Sequence, residues 1–103
     1  MFGKFGDMLG KIAEVKQKIE EIKVKLETTI LNVTGASGDI KITINGNKKI
    51  QKLEIAPSLQ NASKEELEEQ LTVTINKAIE EAEKASAEEM KKVAGGIIPP
   101  GLL

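Results

Sequence analysis

From Met8 onward the apolar residues fall at Met8, Ile12, Val15, Ile19, Ile22 and Leu26, spaced alternately four and three apart. That spacing is the heptad seam of a helix that packs along another helix, so a coiled-coil-like element is predicted here. Asp7 is the candidate N-cap, because its carboxylate accepts backbone N–H groups left unpaired at a helix start. Thr28-Thr29 then turns the composition toward strand. Thr29 to Val33 reads as a first strand, and Ile40, Ile42 and Ile44 alternate with Lys41, Thr43 and Asn45 as a second. Lys49 to Ile55 supplies a third, in which Ile50 is out of step with Leu53 and Ile55; a bulge near Gln51 or Lys52 reconciles them.

Gly35-Ala36-Ser37-Gly38-Asp39 is loop chemistry, and Asn45-Gly46-Asn47 signals a hairpin because Asn and Gly tolerate positive φ. Pro57 ends the sheet, and Ser63-Lys64-Glu65-Glu66 matches a capping box. A second long helix follows, with Leu67, Leu71, Ile75, Ala78, Ile79, Ala82, Ser86, Met90 and Val93 on one face, and Gly95-Gly96 is expected to stop it. The fold class is therefore α+β, in the order α-β-β-β-α, with a three-stranded antiparallel sheet and two long helices. Residues 1–96 form one domain, and 97–103, with Pro99-Pro100, an extended tail. A helix of about 30 residues spans roughly 45 Å, whereas a compact chain of about 100 residues has a radius of gyration near 13 Å. The second helix must therefore project or be covered by a partner. The alanine-bearing stripe favours a partner, which makes Leu71, Ile75, Ala78 and Ala82 the expected homodimer interface.

Composition narrows the chemistry. In 103 residues there is no Cys, His, Trp or Tyr, which removes disulfides, zinc sites, thiol nucleophiles and the side chain that titrates near neutrality. No acidic loop carries the glycine spacing of a calcium site, and neither Gly35 to Gly38 nor Gly46 lies in a phosphate-loop pattern. An enzyme is not expected, nor a metal or small-molecule substrate. The N-terminal MFGKFGDMLGK has no apolar run long enough for a signal sequence or a membrane span, so a cytoplasmic protein is expected.

Net charge is −1, yet residues 1–56 carry ten lysines against seven acids and residues 57–103 five against nine. With Ile12, Ile19 and Leu26 at heptad position a, Lys16 and Lys23 fall at e and Lys11, Lys18 and Lys25 at g, a lysine rim beside the seam. Lys48, Lys49 and Lys52 add to it from the third strand and its turn. Such lysines ordinarily pair with acids of a neighbouring helix, and Glu80, Glu81, Glu83, Glu88 and Glu89 are available. A two-fold axis would instead double the patch, and nonspecific DNA affinity depends on how many phosphates are neutralised together. These eight lysines are the candidate DNA contacts. All the cationic side chains are lysine, so the chain has no arginine fork for bidentate reading of guanine, and low sequence specificity is expected. The alternative is a protein-interaction scaffold that uses the acidic second helix and the apolar tail.

Several segments, in their order and spacing, resemble the YbaB/EbfC nucleoid-associated proteins: Met1-Phe2-Gly3-Lys4, Val33-Thr34-Gly35-Ala36-Ser37-Gly38, Ile42-Thr43-Ile44-Asn45-Gly46, Leu53-Glu54-Ile55-Ala56-Pro57-Ser58-Leu59 and Pro99-Pro100-Gly101. The resemblance spans nearly the whole chain. It implies a tweezer-like homodimer that binds double-stranded DNA in the cytoplasm, at the nucleoid, and needs no cofactor.

Overall fold

A computed structural model describes the backbone of residues 2–97 and the side chains of residues 8–93. The order is α1 (Phe2–Glu27), β1 (Ile30–Gly35), β2 (Ile40–Asn45), β3 (Ile50–Ile55) and α2 (Lys64–Ile97), with single 3₁₀ turns at Ala36–Gly38 and Pro57–Leu59. The three strands form one antiparallel sheet in sequential order.

Two helix boundaries differ from the sequence reading. The helix α1 begins at Phe2, so Asp7 lies inside it and is not its N-cap. The helix α2 runs through Gly95 and Gly96 to Ile97. Glycine costs a helix only about 1 kcal/mol relative to alanine, which a long helix absorbs. Proline is the stronger stop, since it disfavours helical backbone in the residue before it, and the described part of α2 reaches Ile97, two residues before Pro99. The expected tail therefore loses Ile97, and its remainder, 98–103, lies outside the described residues. At the other end of α2, Ser63 Oγ accepts the Glu66 backbone N–H at 3.1 Å, the Ser63 half of the expected capping box.

The bulge falls where the broken alternation placed it. Thr43 pairs with Lys52 and Ile44 with Ile50, so Gln51 is the extra residue of β3. As a result Leu31 and Val33, Ile40, Ile42 and Ile44, and Ile50, Leu53 and Ile55 all share the inner face of the sheet. Across β1 and β2 lies α2, and Val33, Ile40, Ile42, Ile44, Leu59, Ala78 and Ala82 make the core. The two alanines permit the approach, as does Gly35, where a Cβ would collide with the Thr74 side chain.

Among the described residues, helix α1 is held by hydrogen bonds from the β2–β3 turn at its C-terminal end. Gly46 N–H donates to the carbonyls of Leu26 and Thr29 at 2.9 and 3.0 Å. Asn47 Nδ2 donates to the Lys23 carbonyl at 3.0 Å and to Glu27 Oε2 at 3.1 Å. The β2–β3 turn thus satisfies carbonyls that a helix end leaves unpaired. Buried Asn45 anchors that turn, its Oδ1 accepting the N–H groups of Asn47 and Lys49 at 2.9 and 3.0 Å. The left-handed residue of the turn is Lys48, at φ 67°, and none of the Asn45-Gly46-Asn47 residues whose tolerance of positive φ signalled the hairpin.

Candidate nucleic-acid interface

Lys25 of α1 meets Glu89 of α2 at 3.0 Å, and Lys48, at the turn beside the end of α1, meets Glu83 at 3.4 Å. From sheet to tip, α2 therefore runs antiparallel to α1. Eight residues beyond Glu89 advance about 12 Å, whereas α1 extends roughly 35 Å from Lys25 back to Phe2 at 1.5 Å per residue. The first half of α1 accordingly projects past Ile97, where the described part of α2 stops. The seam follows this geometry: Ile22 and Leu26 are buried, Val15 and Ile19 half-buried, and Met8, Leu9 and Ile12 exposed. The whole is elongated, 71 × 25 × 17 Å, with a radius of gyration of 19.8 Å.

The projecting stretch is where apolar and cationic residues meet. Met8, Ile12 and Val15 line a shallow concavity together with Lys11 and Lys16, the e/g placement that the heptad assignment gave. Lys11, Lys16, Lys18 and Lys49 form no ion pair among the described side chains. Lys23, Lys25 and Lys48 gather at the root of α1 but are paired, with Glu20, Glu89 and Glu83. Lys52 stands apart. It points to the outer face of the sheet and pairs with Glu54 at 2.6 Å, and this hydrogen bond raises the Lys52 pKa and lowers that of Glu54.

Sequence reasoning missed Lys92. It donates to Glu89 at 3.1 Å, and Glu89 also accepts Lys25, so the two helices pool two ammonium groups around one carboxylate. Hydrogen bonds from Lys25 and then Lys92 hold the Glu89 carboxyl below the usual carboxylate range. The i,i+3 spacing of Glu89 and Lys92 was a local signal for their pair, and only the antiparallel match of two apolar stripes pointed to Lys25 joining it.

The four residues expected at a homodimer interface divide by burial. Ala78 and Ala82 are fully buried by their own sheet and have no surface to offer a second copy. Leu71 and Ile75 are half-buried against the same core. What stays open is the inner face of β3, because α2 covers only β1 and β2. Ile50, Leu53 and Ile55 there are each more than a third exposed. Thr74, Lys77 and Glu81 of α2 face β1, so helical periodicity turns Ile75 and Ile79 toward the β3 side, and an apolar trough runs between α2 and β3. Among the described residues no acidic cluster is placed to hold a metal ion and no helix is long and apolar enough to cross a membrane.

Fold and charge together define a helix-armed α+β protein with lysines on its projecting arm. The chain belongs to the YbaB/EbfC DNA-binding family, which it matches over residues 1–97. It is 33% identical over 97 residues to a nucleoid-associated protein of Chlorobium phaeovibrioides, an alignment covering 94% of this chain and 88% of the other. The crystal structure of the uncharacterized protein HP0035 from Helicobacter pylori has the same fold. It superposes with a TM-score of 0.64 at 23% identity, covering 84% of this chain and 98% of that one.

Proposed function

We propose that the protein is a nucleoid-associated factor that grips double-stranded DNA as a homodimer, through lysine–phosphate contacts of low sequence specificity. The observation that carries this reading is the arm of α1, where Lys11, Lys16 and Lys18 lie with no carboxylate partner among the described side chains. Ammonium groups in that state are the ones that displace counterions from a duplex. Lys49 adds a further one near the root. Lys23, Lys25, Lys48 and Lys52 join only by leaving their acids, and exposed pairs of that kind are worth at most about 1 kcal/mol.

Association of two copies is supported by the trough between α2 and β3. Ile50, Leu53 and Ile55 continue the inner face, and a second copy laid on them would cover that apolar surface and the open edge of β3. Pairing two arms doubles the number of phosphates engaged at once. Membership of a DNA-binding family favours this reading over a scaffold built on the acidic face of α2. The cytoplasmic, nucleoid location follows from the DNA partner.

The test is a titration of unrelated duplexes of equal length across a salt series. Similar affinities, each falling steeply as salt rises, are expected; a flat salt dependence would overturn the phosphate mechanism. Cellular partners that all stay attached after nuclease treatment would instead favour the scaffold.

A further inference from the structure

We infer that Glu89 is an internal competitor for DNA phosphate, holding Lys25 and Lys92 in the free protein and yielding them when a duplex arrives. This rests on the phosphate-contact reading above and adds to it how many cations the arm brings to bear. A carboxylate and a phosphate offer an ammonium group the same kind of acceptor, two or more anionic oxygens at hydrogen-bond distance. Glu89 uses both of its oxygens: Oε2 accepts Lys25 Nζ at 3.0 Å and Oε1 accepts Lys92 Nζ at 3.1 Å.

The three partners are not equally free to move. The Glu89 side chain is only 18% exposed, whereas those of Lys25 and Lys92 are 58% and 68% exposed. Packing between the helices fixes the carboxylate, while both lysines have solvent on their other side and can swing outward. The other long-range ion pair at the arm's root differs. Lys48 and Glu83 are each about half exposed and lie 3.4 Å apart, so neither partner is fixed.

An ammonium that leaves Glu89 for a phosphate gives up one ion pair as it makes another, so it gains less than an unpaired lysine does. Glu89 therefore lowers the affinity without changing the number of phosphates neutralised in the complex, and the unpaired lysines of the projecting arm steer the first encounter. Each phosphate neutralised contributes about 0.9 to the slope of log K against log salt.

Glu89→Gln keeps the shape and removes the charge. We expect it to tighten binding to a short duplex severalfold at low salt while leaving the slope of log K against log salt near its wild-type value, because the same phosphates are neutralised in both complexes. Glu88→Gln is the control, because it removes the same charge from an exposed neighbour that makes no ion pair among the described residues. It should raise the affinity far less than Glu89→Gln does. Lys25→Gln in the Glu89→Gln background should return about half of the gain. In the wild-type protein, the Glu89 carboxyl followed by carbon-13 NMR should titrate at higher pH once duplex is added, because its two lysines have left. Salt-steep binding by the wild type, with Glu89→Gln behaving as Glu88→Gln or the carboxyl titration unmoved by duplex, overturns the inference alone. Wild-type protein that binds no duplex, or binds without salt dependence, overturns the reading beneath it as well.

Discussion

Gly46 lies against Leu26 so closely that a Cβ on Gly46 would stand 2.5 Å from Leu26 Cδ2 and 3.0 Å from Leu26 Cβ. The glycine is there for this approach, which lets its N–H reach the Leu26 carbonyl near the end of α1 and the Thr29 carbonyl just beyond it. Gly46→Ala should therefore destabilise the protein by roughly 1–3 kcal/mol, the usual cost of forcing extra volume into a packed site. Urea unfolding measures it, and an unchanged midpoint would show that Leu26 gives way freely.

Gly10 provides the opposite case. A Cβ there meets nothing within 4 Å, so Gly10→Ala should favour the helix by roughly 0.5–1 kcal/mol through lower backbone entropy. Higher helicity by circular dichroism, with greater amide protection along the projecting half of α1, is the expected result.

Leu53→Asp should weaken self-association, because it places a carboxylate in the trough proposed as the contact between copies. Val73→Asp, on the solvent face of α2, should leave it unchanged. Ala82→Asp should lower the unfolding midpoint instead, since Ala82 is sealed beneath the subunit's own sheet. Sedimentation and urea titration separate these outcomes; equal dimerisation of the Leu53 and Val73 variants would remove the trough from the interface.

Charge reversal on the arm, Lys11→Glu with Lys16→Glu, should cost at least tenfold in duplex affinity at low salt, because two ammonium–phosphate attractions become repulsions. Lys64→Glu, at the far end of α2, should change it little. Equal weakening by both would mean that only net charge matters.

Acid should loosen the junction of α1 and α2. Hydrogen bonds from Lys25 and Lys92 depress the Glu89 pKa in the folded protein, so the pairing stabilises fully above the ordinary carboxylate range. It is lost as pH falls through the lowered folded value. Glu89→Gln should flatten that part of the stability–pH profile; an unaltered profile would place the acid sensitivity elsewhere.

Element order, the Gln51 bulge and the Ser63 cap were legible in the sequence because each depends on neighbours a few residues away, through periods of two or of three to four. So was the lysine rim, since heptad position alone puts Lys11 and Lys16 beside Ile12 and Val15. Tertiary structure decided which surface each apolar stripe meets. An alanine stripe is equally suited to a partner's helix and to its own sheet, and here the sheet takes Ala78 and Ala82 while β3 stays open. It also decided which lysines are bound. Lys25 and Glu89 are separated by 64 residues, and no local periodicity carries that distance; only the antiparallel return of α2 along α1 brings the two charges together.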